Sequence, residues 1–354
     1  MNSEYSGLNE RQGRSALPLV SSDSTLHRSP ARDMFGAVPG LSNTHSWIFY
    51  LHSIWLFTFS DLKTIVGPKT VFEILNAIFA PVFEISSAPP KGSTFQKILM
   101  TAFWTWVNLL PFAIDNQRQS AAIEEDRLNK SWRSMPSKRL TPEQAKRIMF
   151  LFYPIAFLVS AYIGGLRQCI ALILLGYWYN DCGGADDSYI TRNFINACGF
   201  ICYSSEAMKV ALESPLPLSE TELVQWFLII GGVIFTTIQI QDISDQAGDR
   251  LRGRKTMPLV LGDERCRRIT VFLIGFWCLV CLWYWASHLG VHAAFAALGA
   301  RLVSRIMWKR SKRKDKHTFR EWNLWVVFLY SLPLLKYVSS AWLMHIYLAM
   351  ALDF

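Results

Sequence analysis

Apolar residues in this chain gather into long runs, and short polar clusters interrupt them at nearly regular intervals. The runs predict nine helices, at about 65–86, 97–115, 147–164, 166–180, 191–210, 222–241, 269–287, 289–307 and 323–348. Several approach the ~20 residues that a helix needs to cross a bilayer core. Lys69 and Glu73 interrupt the first run, and Glu206 and Lys209 flank the end of the fifth. Residues 47–60 are too short for a further span and read as an interfacial helix, rich in the aromatic side chains favoured where membrane meets water. The predicted fold is all-α, a multi-pass membrane bundle of about nine transmembrane helices. A large soluble all-helical enzyme with buried helices is the competing architecture.

Composition favours the membrane. Of 354 residues, 51% are apolar and only 18% are charged, against about 25% charged in a soluble domain. Mean hydropathy is +0.19. The formal charge of +9 resides in clusters within 118–147, 250–268 and 309–320. With nine spans these loops share one side with the N-terminal tail, and the positive-inside tendency assigns that side to the cytosol. An endoplasmic-reticulum membrane is the expected setting. Because the basic clusters occupy loops between spans, they do not imply a nucleic-acid partner. The first 45 residues are rich in Ser, Gly, Arg and Pro, lack the apolar core of a signal peptide, and read as a flexible tail. Seven cysteines show no metal-ligand spacing and read as small buried hydrophobes.

The sharpest chemical signal is Asp242, Asp245 and Asp249 in the run DISDQAGDRLRGRKTMP, directly after an apolar segment. On one helix, offsets of three and seven place the three carboxylates on a common face. Carboxylates so grouped repel one another unless a cation neutralises them. Mg2+ prefers oxygen ligands and commonly bridges to substrate phosphates while keeping waters. A second polar run, NQRQSAAIEEDRLNKSWRSMPSKR, begins at Asn116. On a continuous helix Asn116, Ser120 and Glu124 would share a face but Asp126 would not, so a turn or irregularity must bring Asn116 and Asp126 to one metal. Each run also reads as a solvated cytosolic loop. Their placement on one side of the membrane favours a joint site.

The candidate metal-binding and catalytic residues are therefore Asn116, Asp126, Asp242, Asp245 and Asp249. Lys130, Arg133, Arg254 and Lys255 are the candidate diphosphate contacts, through charge-assisted hydrogen bonds. Departure of diphosphate would leave an allylic cation, which an apolar bundle shields from water. Phe103, Trp104, Trp106, Tyr177, Trp178, Tyr179, Trp226 and Phe235 lie on spans that could form the cavity, although most such rings serve packing or the interface. Tyr203 and Glu206 could also reach it.

Together the two runs resemble the signatures of the UbiA superfamily of intramembrane prenyltransferases and related terpene cyclases. The resemblance covers about residues 47–350, dividing the chain into a tail, 1–45, and a UbiA-like transmembrane catalytic domain, 46–350. It implies a nine-helix bundle around a cavity whose cytosolic cap binds Mg2+ and an isoprenyl diphosphate. The second run matches the family closely. In the first, Ser120 and Glu124 occupy the four-residue intervals and Asp126 aligns only with two extra residues, while Ser131 stands where a proline is usual. The form NQR…EEDRLNK…WR resembles fungal members, including membrane-bound sesquiterpene cyclases. The expected activity is class I cyclisation of farnesyl diphosphate, with prenyl transfer to an aromatic or other electron-rich acceptor as the alternative. A transporter or lipid-binding protein, which needs no turnover, is the reading outside enzymology.

Overall fold

The computed structural model describes residues 43–78, 94–212, 221–285 and 289–352, all of them helical or in short connections. The expected tail lies almost wholly outside the described residues. Helix α1 (Asn43–Asp61) runs into a π-helical turn, Leu62–Val66, and then into α2 (Gly67–Ile78). There follow α3 (Thr94–Arg118), α4 (Ser120–Asn129), α5 (Pro142–Ile163), α6 (Leu166–Asn180), α7 (Tyr189–Leu212) and α8 (Thr221–Thr237). After a 3-10 turn, Ile238–Gln241, come α9 (Gln246–Arg252), α10 (Met257–Leu261), α11 (Asp263–Tyr284), α12 (Leu289–Trp308) and α13 (Lys312–Leu352).

Among the described residues, nine of these helices close a ring through neighbour-to-neighbour contacts: α2, α3, α5, α6, α7, α8, α11, α12, α13 and back to α2. The expectation of nine membrane spans is nevertheless corrected. Among the described residues, five helical stretches are long and apolar enough to cross a bilayer: Phe95–Arg118, Pro142–Ile163, Thr221–Gln241, Asp263–Tyr284 and Leu289–Trp308. Of the other ring members, α6 has 15 residues, and the expected span 65–86 lies partly outside the described residues. Helix α7 carries the buried polar residues Arg192, Asn193 and Ser204, and α13 starts in a basic cluster. A helix that turns polar groups toward an interior cavity loses apolar character without leaving the bundle.

Helix α1 covers residues 47–60, read from the sequence as an interfacial helix. It exposes Trp47, Ile48, Leu51, Trp55 and Phe59 while burying Ser53, Phe57 and Thr58. Polar pins lock the ring. Lys69 of α2 is fully buried and donates to Ser204 of α7 and to the Tyr330 hydroxyl of α13, each at 2.7 Å. Its ammonium also stands 4.6 Å from the Phe200 ring centroid. Trp322 of α13 donates to Thr237 at the end of α8, 3.0 Å away. On the basic side Arg267 of α11 makes a two-pronged pair with Asp315 at 2.9 and 3.0 Å and donates to the Ile306 carbonyl at 2.9 Å. That clasp fixes the start of α13 against α11 and α12. The large apolar core, with Trp226, Trp285, Phe295, Trp325 and Leu329 fully buried or nearly so, fills the α8, α11, α12 and α13 side of the molecule. Helices α3 and α7 bound the interior space on the opposite side.

Candidate functional site

Both polar runs fold as interrupted helices. Helix α3 stops at Arg118, and Gln119 is extended (φ −71°, ψ 143°) before α4 begins. The Gln119 side chain donates to the Asn180 carbonyl at 3.0 Å, which secures the break. This is the irregularity that Asn116 and Asp126 require. The second run is not one continuous helix, contrary to expectation. Asp242 follows the 3-10 turn and Asp245 precedes α9, so that only Asp249 lies within an α-helix. Redirecting the backbone twice within this stretch turns all three carboxylates inward.

The two runs meet over a cavity of about 130 Å³. Asn116, Asp126, Asp242, Asp245 and Asp249 all line it, together with Lys130, Arg133 and Arg254. Lys255 does not. Its side chain is exposed and its backbone N–H donates to the Asp186 carbonyl at 2.8 Å.

Arginines hold the buried carboxylates. Asp126 receives Arg133 Nη1 on both oxygens, at 3.0 and 2.9 Å. Asp242 receives Arg192 at 2.7 and 3.4 Å, and Arg192 also donates to the Tyr179 hydroxyl. Arg254 donates to Glu125 at 2.9 Å, to Asp186 at 2.9 Å and to Asp249 at 3.4 Å. Arg252 adds ion pairs to Glu125 and Asp186. Hence Arg254, a candidate for phosphate contact, is committed to carboxylates, whereas Arg133 gives only Nη1 to Asp126 and keeps a buried Nε without a partner beside the cavity. Lys130 keeps its ammonium 4.0 Å from Asp245 and remains available to an anion.

Asp249 is the least satisfied member. It is 1% exposed, and its Oδ2 is buried without a hydrogen-bond partner. Burial, reinforced by the nearby Asp242 charge and opposed by Arg192 and Arg254, pushes its carboxyl up to about 7. Among the described residues no three His, Cys, Asp or Glu side chains stand close enough together to hold a metal ion alone. Mg2+ does not require an all-protein cage, because it completes its shell with waters and substrate phosphates.

Below the polar cavity lies a smaller apolar one of about 50 Å³, bounded by Leu109, Leu172, Leu175, Ile195, Gly199 and Tyr203. The two share Ile65, Phe112, Tyr179, Asn196 and Phe200 as a common wall. Of the eight aromatic residues singled out in sequence, Tyr179 lines these two cavities. Phe103, Tyr177 and Trp178 face outward, and Trp104 and Trp226 are packed in the core. Tyr203 lines the apolar cavity. Glu206 does not border it and is buried against Gly165.

Asp61, Glu125, Asp186 and Arg192 also belong to the site and its supports. Asp61 ends α1 and lines the polar cavity; burial raises its carboxyl, opposed by Arg133 and Lys130. A lone arginine inside an apolar run is itself a signal, since an ionisable group there faces a cavity or partner by default. Arg192 carried that signal. Asp61 and Asp186 lay outside both runs, and nothing in their spacing linked them to the site.

Residues 78–332 match the family model described as the UbiA prenyltransferase family. The chain is similar to a fumagillin beta-trans-bergamotene synthase of Aspergillus fumigatus, 24% identical across 81% of this chain and 93% of the relative. It is similar also to a diterpene cyclase of Hericium erinaceus, 24% identical across 74% of this chain and 81% of that one. The solved structure of a UbiA homolog from Archaeoglobus fulgidus, bound to DMAPP and Mg2+, aligns with a TM-score of 0.50 and 15% identity. It covers 77% of this chain and 98% of its own. At that identity the likeness is one of fold.

Proposed function

The chain belongs to the UbiA prenyltransferase family, and from that premise we propose that it is a multi-pass membrane enzyme that ionises an isoprenyl diphosphate with Mg2+. The observation that carries the reading is the common wall between a carboxylate-lined polar cavity and an apolar one. A diphosphate head and a hydrocarbon tail need that juxtaposition. The donor set fits the metal: hard oxygens from Asn116, Asp126, Asp242, Asp245 and Asp249 border one space, and the buried Asp249 Oδ2 has no hydrogen-bond partner there. Bound Mg2+ supplies Lewis-acid neutralisation of the charge that develops on departing diphosphate.

In this reading the protein's own groups do the positioning. Lys130 reaches the diphosphate, while Arg133, Arg192 and Arg254 hold Asp126, Asp242 and Asp249 in place. Lys255, outside the cavity, has no direct part. Phe112, Tyr179 and Phe200 present rings where the allylic cation forms, each worth about 0.5–2 kcal/mol when a π-face meets the cation. The surrounding aliphatic side chains exclude water.

Two fates are open to that cation. Capture by an acceptor is prenyl transfer, the activity for which the family is named, and it has the broader support. Ring closure without an acceptor has a specific observation in its favour: the relatives matched over most of their length include a bergamotene synthase and a diterpene cyclase. The departures at Ser120, Glu124 and Ser131 support the same reading. Farnesyl diphosphate is the donor to test first, in endoplasmic-reticulum membranes with the basic loops toward the cytosol. Membranes containing the protein should be given Mg2+ and prenyl diphosphates of several lengths, with and without aromatic acceptors. A prenylated acceptor establishes transfer, and a cyclic hydrocarbon formed from the diphosphate alone establishes cyclisation. Absence of diphosphate release under every condition, with folded protein, rejects both.

A further inference from the structure

Beside the carboxylate cavity opens a larger space of about 300 Å³ with a different character. Its cations are Lys63 from the π-helical turn, Lys130 after α4, and Lys316 and Arg320 from α13. Its carboxylates are Asp61 and Asp245, so cations outnumber anions by four to two. Among the described residues, Lys63, Lys316 and Arg320 form no ion pair, whereas Arg133, Arg192 and Arg254 beside the carboxylates all do. Lys316 donates to the Asn129 carbonyl at 3.1 Å, which places its ammonium firmly at the rim. Burial lowers the Lys63 ammonium from its ordinary value, and repulsion from Arg320, Lys130 and Lys316 lowers it further. Cations that destabilise one another in this way are stabilised by an anion among them.

The rim of this vestibule is aromatic. Phe59, Trp132 and Phe319 line it, with Phe59 and Trp132 in edge contact at 5.4 Å and both rings substantially exposed. Phe59 belongs to the helix whose outward face carries Trp47, Leu51 and Trp55, side chains suited to the membrane interface. The vestibule and the carboxylate cavity share Asp61, Thr64, Lys130, Gln241 and Asp245. An amphiphile arriving from the bilayer surface thus meets a ring-lined edge and a cationic interior before it meets the buried carboxylates.

We propose that this vestibule is a staging site that binds the diphosphate head of an isoprenyl diphosphate without a metal ion, before Lys130, the cation that lines both spaces, passes it inward. The proposal rests on the isoprenyl diphosphate reading of the adjoining cavity. It differs from the metal site in mechanism of capture: lysine and arginine N–H groups supply the charge-assisted bonds there.

The test uses purified full-length protein in zwitterionic detergent with a chelator present. Calorimetric titrations with inorganic diphosphate and with farnesyl thiodiphosphate should both show binding, weakened by added salt. The double variant Lys316→Gln/Arg320→Gln should bind about tenfold more weakly, and Lys316→Arg/Arg320→Lys should restore most of the affinity. With Mg2+ restored, the glutamine variant should show a raised KM and a kcat within about twofold of wild type. Binding only when Mg2+ is present, metal-free binding unchanged in the glutamine variant, or metal-free binding of anionic phospholipid vesicles but of neither diphosphate would overturn the proposal. If metal-free binding behaves as stated but Mg2+ never yields turnover, the staging site stands and the enzymatic reading of its neighbour falls.

Discussion

The side-chain amide of Asn129 donates to the backbone carbonyl of Asp245 at 3.2 Å and so joins the two polar runs at the wall of the vestibule. Gly248 makes that approach feasible. A Cβ on Gly248 would lie 2.2 Å from Asn129 Nδ2 and 3.0 Å from Glu125 Cγ. Gly248→Ala should therefore push α4 and α9 apart and displace the bridge, at a cost of about 1–3 kcal/mol. Apparent melting temperature in detergent should fall and Mg2+-dependent turnover should fall more steeply. Wild-type turnover in this variant would show that the bridge is dispensable.

Arg192 and Asp242 form a pair in which both side chains are nearly inaccessible. Removing one partner leaves an uncompensated buried charge, a loss of about 3–5 kcal/mol. Arg192→Met should lower thermal stability by that order. Arg192→Lys should recover little of it, because an ammonium cannot reproduce the two-pronged contact. Equal stability of the lysine variant and wild type, measured by thermal unfolding, would show that the fork geometry is unimportant.

Asp249 links stability to pH with a definite sign. Its folded-state value, about 7, lies above the ordinary 3.8, so its contribution to metal-free stability is present in acid and is lost as pH rises through about 7. A cation binds the deprotonated form. The stabilisation produced by Mg2+ should therefore grow as pH rises from about 6 to about 8. Asp249→Asn should flatten this trend, raise metal-free stability by about 1 kcal/mol at neutral pH, and abolish turnover. Thermal shifts across pH, with and without Mg2+, check all three, and a pH-independent Mg2+ response in wild type contradicts them.

Gly199 borders the apolar cavity, and a Cβ built on it meets nothing within 4 Å. Gly199→Ala should fold normally and shorten the space open to a hydrocarbon tail. Competition between donors of different length should shift about threefold or more toward the shorter, on the scale of one methylene in an apolar pocket. An unchanged ratio would place the tail elsewhere.

The helical periodicity of the chain was readable because apolar runs of this length have few other solutions. The number of spans was less so, since hydropathy counts Arg192 and Asn193 against α7 without knowing that they face inward. Residue spacing grouped Asn116, Asp126 and the three later aspartates, and all five line one cavity. It erred on the backbone of the second run, where a 3-10 turn and a helix start at Asp245 replace a continuous helix. It also could not distinguish a free arginine from a paired one. Arg133 and Arg254 are buried, and a buried guanidinium must find a carboxylate nearby, here Asp126 and Glu125. Those partners are fixed by tertiary packing, which a linear pattern does not contain.

Five side chains, Ile65, Phe112, Tyr179, Asn196 and Phe200, belong to the head-group compartment and the tail compartment at once. An engineer cannot retune one compartment through these positions without disturbing the other. Drift at this partition would alter substrate length and leaving-group geometry in a single step, whereas drift at Leu172 or Leu175 would alter length alone. Diversification is thus easiest from the floor upward, with the partition the last part to change.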